Sequence, residues 1–183
     1  RRQVVCYDQR GSGDSPVESA FGTMDEHSAD LEAIRCHLGV ASLDLLTFSW
    51  GASILGVYLS QHPGRVGRAL ILSPPPMTDE LRQQMGPRVG AAMARPAVAS
   101  VQQRLSDALR SEDPTVRSEA EFRVGVAAFL HRSELALEMN APVRNRQAAQ
   151  AAEASLQRVD LLAAFRAAEL SGHVMHGADD PVP

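Results

Sequence analysis

Apolar residues change their period twice along this chain. Val4, Val5, Cys6 and Tyr7 form a short continuous β-prone run that stops at Asp8, which predicts a strand buried on both faces. The segment from Asp8 to Pro16, with Gly11, Ser12, Gly13 and Ser15, reads as a loop. Thr23 and Glu26 then stand at capping-box spacing, and Leu31, Ile34 and Leu38 recur at helical spacing until Gly39. Leu43 to Phe48 predicts a second strand. Ile54, Leu55, Tyr58 and Leu59 stripe a second helix closed by Pro63 and Gly64, and Ala69 to Leu72 predicts a third strand. Strand and helix alternating at this density predict an α/β fold, a mostly parallel sheet with helices on both faces.

From Thr78 onward the strand runs disappear. Val98, Val101, Leu105 and Leu109 stripe one helix, and Asp113-Pro114 starts another that carries Val116, Ala120, Val124 and Ala127 in register. Glu134 and Glu138 fall on a further helix, where i, i+4 spacing would put both on one face. After this block Asp160 caps a short helix through Leu161, Leu162 and Phe165, and His173 to His176 predicts a last strand ending at Gly177. The division expected is therefore an α/β core over residues 1–77, a helical insertion over 78–154, and a return to the core over 155–183.

Composition narrows the function classes. All 18 basic residues are Arg, they are outnumbered by 22 acids, and the net charge is −4. Residues 79–154 carry ten Arg against ten Asp and Glu, so the insertion has no basic face. A partner held by a strong basic field, nucleic acid above all, is not expected. No apolar run approaches the roughly 18 to 20 residues that span a bilayer, so no membrane association is expected. Cys6 and Cys36 are too few and too far apart for a disulfide framework or a zinc knuckle, and read as buried thiols in a reducing, cytoplasmic setting. The chain opens without an initiator Met or signal sequence and stops abruptly at Pro183, which reads as an incomplete chain. Gly11 and Gly13 do not make a dinucleotide fingerprint, because the third glycine would fall at Pro16.

The chemistry concentrates at Thr47-Phe48-Ser49-Trp50-Gly51. A serine at a tight strand-to-helix turn is pushed out of the carboxyl edge of the sheet, and the backbone N–H of the next residue, Trp50, points where an oxyanion would form. Small flanking residues are needed because strand and helix nearly touch. Gly51 meets that need, whereas Thr47 stands where the usual G-x-S-x-G pattern has glycine and predicts a crowded, less strained serine. A serine that merely caps the helix is the plainer reading of the same spacing.

Four motifs taken together resemble the α/β-hydrolases, and most closely their proline iminopeptidase-like branch. Asp8 to Ser15 is similar to the D-Q-R-G-x-G-x-S loop, Ser49-Trp50-Gly51 to the nucleophile elbow, and Gln61 to Val66 to the H-P-x-R-V stretch. Gly177 to Pro183 resembles the G-x-x-D-x-x-x-P segment that bears the triad's acid. The resemblance covers essentially the whole chain and places its helical cap at the insertion.

What the resemblance implies is a serine hydrolase with Ser49 as nucleophile, Trp50 giving one backbone oxyanion donor, and Asp180, with Asp179 as the neighbouring choice, orienting a histidine. It calls for no cofactor and no metal, and for a small-molecule or short-peptide substrate with an ester or N-terminal-residue amide bond, cleaved through an acyl-enzyme. His27, His37, His62, His131, His173 and His176 all precede Asp180. The family's order is Ser, Asp, His, so the stretch by itself is expected to turn over little or nothing. The alternative is a non-catalytic binding module on the same fold.

Overall fold

The computed structural model describes residues 3–17, 22–142, 146–156 and 159–183. They divide into two compact units, one made of residues 1–74 and 142–175 and the other of 75–141 and 176–183.

In the first unit three strands, β1 (Leu43–Phe48), β2 (Val66–Leu72) and β3 (Ser171–Met175), form a parallel sheet in that order. Leu46 pairs with Leu70 and Leu70 with His173, so residues of one parity share a face across all three strands. Helix α2 (Gly51–Gln61) packs on the face of Leu45, Thr47, Ala69 and Ile71. Its apolar stripe goes into a cluster of Met24, Ile54, Val57, Ala152 and Leu161. These residues come from α1 (Met24–His37), α2, α7 (Arg146–Leu156) and α8 (Leu161–Ala167). The opposite face carries Leu46 and Phe48, 65% and 67% exposed, so the second helical layer expected from the sequence is not among the described residues.

Helix α1 begins with the capping box that the sequence predicts, the Thr23 side chain accepting from Glu26 N–H and Glu26 reaching back to Thr23 N–H. It is tied to α2 through Glu32, which accepts from Tyr58 Oη at 2.7 Å and from the Arg35 guanidinium at 2.9 and 2.7 Å. The Arg35 fork, with the Tyr58 hydroxyl behind it, holds the Glu32 carboxyl far below the usual carboxylate range. Burial, then Glu32, pushes the Tyr58 phenol up.

Several sequence expectations change here. Val4 to Tyr7 form no strand, and Val4 is 83% exposed. A β-prone run becomes a strand only where a neighbour completes its ladder, and no such neighbour lies among the described residues. Cys6 and Cys36 are free and exposed, not buried. Helix α1 also turns His27 inward, where it is 5% exposed.

The second unit is helical: α3 (Asp79–Met93), α4 (Pro96–Arg104), α5 (Ser106–Leu109) and α6 (Pro114–Ala127), followed by a 3-10 turn over Ser133–Glu138. The single helix expected through Leu109 breaks at Leu105, yet Leu105 and Leu109 still pack with Val98, Val101, Val124, Ala127 and Ala136. Arg95 Nη2 donates to Ala127 O, Ala128 O and Leu130 O at 3.1, 2.7 and 3.3 Å, supplying donors to the carbonyls left open where α6 ends. Glu134 and Glu138 do not share a face, because at three residues per turn positions four apart diverge by about 120°.

Candidate active site

Strand β1 ends at Phe48 and α2 begins at Gly51, so Ser49 and Trp50 make the whole turn. Ser49 makes it with φ at +48°, in the left-handed region. A residue with a Cβ enters that region at a cost of roughly 1–2 kcal/mol. The surroundings hold it there: Ser49 N–H donates to Leu72 O at 2.9 Å, prolonging the ladder to β2, and Ser49 O accepts from Ala52 N–H at 3.0 Å in the first turn of the helix. The hydroxyl does not cap α2. The N-cap is Trp50, which makes no side-chain cap bond, and no hydrogen bond engages Ser49 Oγ among the described residues.

Trp50 has helical backbone angles, and its indole packs against the Met24, Ile54, Val57 cluster beneath the turn. Its N–H has no acceptor among the described residues, as befits the first donors of a helix. That leaves a donor beside the Ser49 hydroxyl at the positive end of α2.

Thr47 does not crowd the turn. A Cβ placed on Gly51 would sit 3.4 Å from Thr47 Cβ, ordinary contact, and Ser49 keeps its strained φ with threonine in place. The Thr47 hydroxyl is buried with no partner among the described residues. Its desolvation costs roughly 1–3 kcal/mol.

The loop ahead of α1 is fixed by charge. Arg10 sets its fork on Asp30, Nε at 2.7 Å and Nη2 at 2.6 Å, with Nη1 3.3 Å from Glu26. Asp8 accepts from Asp14 N–H at 3.0 Å and lies where a Cβ on Gly13 would be. Arg10 and Asp8 are thereby occupied in folding the loop.

Asp180 belongs to the second unit, just beyond β3. Its N–H donates to Gly177 O at 3.1 Å, and its Oδ1 accepts from Val182 N–H at 3.0 Å. His176, expected within the last strand, lies one residue past it, with Nε2 2.7 Å from Val182 O and 3.6 Å from Asp180 Oδ2. Asp179, the neighbouring choice, meets His131 Nδ1 at 3.8 Å, with side chains 80% and 88% exposed. The i, i+4 spacing of His176 and Asp180 about Gly177 is the sequence signal that joins these two.

Two further features were not legible in the sequence. Ser73, at the end of β2, also has positive φ, at +41°, and donates its N–H to Met175 O at 2.8 Å. The signal available was a serine followed by Pro74, Pro75 and Pro76. A cleft of about 880 Å³ opens between the end of α2 and α8, lined by Leu59, Val66, Val159, Ala164 and Leu170. It lies at the far end of α2 from Ser49. No group of His, Cys, Asp and Glu suited to a metal ion occurs among the described residues.

This geometry meets known proteins at the level of family. The model of the alpha/beta hydrolase fold family matches residues 1–167, and the chain belongs to that family. Over 77 residues it is 36% identical to a proline iminopeptidase of Lactobacillus delbrueckii subsp. lactis, a match covering 39% of this chain and 26% of that protein. Over 75 residues it is 31% identical to a non-heme haloperoxidase of Rhodococcus erythropolis, covering 40% of this chain and 27% of the relative. These matches thus span about a quarter of each relative's length. The crystal structure of a hydrolase from Pseudomonas aeruginosa PA01 superposes with a TM-score of 0.54 over 94% of this chain and 60% of that one; at 20% identity this likeness concerns the fold.

Proposed function

We propose that the protein is a serine hydrolase that cleaves an ester or the amide of an N-terminal residue through an acyl-enzyme. Ser49 is the nucleophile, the Trp50 N–H one oxyanion donor, and Asp180 the acid that orients the histidine and stabilises its charged form. The observation that carries this reading is Ser49 itself. A strained serine at a strand-to-helix turn, with its hydroxyl unused for capping and an open N–H beside it, is the geometry a nucleophile needs and a capping residue does not. Kinship with proline iminopeptidases supports a small or short-peptide substrate.

In this reading the helical block that begins near residue 78 supplies the cap, while α7, whose Ala152 packs with Met24 and Ile54, goes with the core. The base is a histidine, and the six histidines of the sequence all precede Asp180. No cofactor takes part. The exposed free thiols Cys6 and Cys36 suit a reducing, cytoplasmic setting. No helix among the described residues is long and apolar enough to cross a membrane.

The test is active-site labelling. The full-length protein should react with a fluorophosphonate probe, and Ser49→Ala should remove the label. Absence of label on the folded wild-type protein, or persistence of label in Ser49→Ala, would overturn the assignment and favour a non-catalytic binding module.

A further inference from the structure

The turn that carries Asp180 closes on itself. His176 Nε2 lies 2.7 Å from Val182 O, and a carbonyl only accepts, so Nε2 must carry a hydrogen and donate it. On the other side of the same residue, Val182 N–H donates to Asp180 Oδ1 at 3.0 Å. Val182 is therefore gripped at both its backbone groups, by the imidazole and by the carboxylate. The consequence for Asp180 is directional. With Oδ1 committed to Val182 N–H, Oδ2 is the oxygen left for another donor, and His176 Nε2 stands 3.6 Å from it.

The two side chains are 29% and 15% exposed, a sheltered pair. The adjacent Asp179 and His131 lie out in solvent, where an ion pair at 3.8 Å contributes little. Of the two neighbouring aspartates, Asp180 is thus the one whose carboxylate is held.

We propose that His176 is a positioning residue: by donating to Val182 O it fixes the turn that aims the Asp180 carboxylate. The proposal rests on the assignment of Asp180 as the acid. His176 exchanges no proton with substrate. It acts on the rate only through the orientation of Asp180.

The experiment uses the full-length protein, comparing His176→Ala, His176→Gln and Ser49→Ala by fluorophosphonate labelling rate, by kcat and KM on a p-nitrophenyl ester, and by melting temperature. His176→Ala should lower the labelling rate and kcat by about 10- to 100-fold with KM little changed. His176→Gln should recover most of that loss at a melting temperature close to that of the Ala variant, because the glutamine Nε2 reaches the same position and donates one N–H. An unchanged rate in His176→Ala, or a Gln variant as slow as Ala, overturns the proposal. In the wild type, nitrogen NMR should show the neutral ring protonated at Nε2, and the Nδ1–H form would likewise overturn it. Should Ser49→Ala keep its label, the hydrolase assignment fails and the proposal falls with it; should Ser49→Ala lose it while His176→Ala matches wild type, the positioning role alone fails.

Discussion

Ser49 and Asp180 are held by opposite means. Ser49 is fixed from far along the chain: its N–H joins the ladder to β2, and the Trp50 side chain beside it is packed into a core drawn from four helices. Asp180 is fixed within residues 176–182, by bonds among His176, Gly177 and Val182. A sheet edge backed by a packed core can keep a backbone angle that its residue disfavours. A short turn can only use angles and side-chain bonds that it already favours. The position of Ser49 is therefore expensive and rigid, and that of Asp180 is cheap and open to single substitutions.

Substitutions that remove the chemistry give the largest effects. On the proposed mechanism, Ser49→Ala in the full-length protein should lower turnover by about 10⁶-fold. Asp180→Asn should cost about 10⁴-fold, because the amide leaves geometry but loses charge. Steady-state rates on an ester substrate check both, and a smaller loss for Ser49→Ala than for Asp180→Asn would reverse the comparison.

Arg10→Leu comes next. Removing the fork that joins the 8–15 loop to Asp30 and Glu26 should cost about 2 kcal/mol, read as a lower urea midpoint, since these partners are only partly exposed. The acid turn, local as it is, should keep its NMR shifts.

Strain at the elbow has a sign that sharpens the contrast. Ser49→Gly should raise stability by about 1 kcal/mol while ending the chemistry, because glycine enters φ +48° without penalty and gives back only part of the gain as unfolded-state entropy. A destabilised Ser49→Gly protein in a denaturant titration would mean the elbow is not strained. Thr47→Val should also stabilise, by about 1 kcal/mol or less, since it replaces a buried unpaired hydroxyl with a methyl of the same shape.

The smallest effect is a pH dependence. Burial first, then Arg10, lowers the His27 pKa, with Asp30 and Glu26 opposing. The unfolded chain then binds the proton more readily, so the contribution of neutral His27 is fully present above the unfolded pKa of about 6.5 and is lost as pH falls through the lower folded value. Urea midpoints should drop on acidification below pH 6.5, and His27→Leu should flatten that part of the profile.

Much of this was legible in the sequence. The helix α1 cap and the start of α6 each depend on neighbours a few residues away, and Thr23 and Pro114 announce them. Val4 to Tyr7 were misread because strand propensity names a candidate and only a neighbouring strand confirms it. Cys6 and Cys36 are exposed where burial is expected, because the residue type does not fix its own exposure. The crowding expected of Thr47 depended on how much space lies opposite Gly51, which no local pattern contains.

By itself the sequence determined that a serine stands where a parallel strand turns into a helix, and that an aspartate follows the last strand. Tertiary structure decided that Ser49 is strained with its hydroxyl uncommitted and that Arg10 is bound up in the loop, whereas the hold on Asp180 is made within residues 176–182. The reason is range: periodicity and capping act over one or two turns of chain, whereas strain, burial and the partners of a charge are set by residues that only folding brings together.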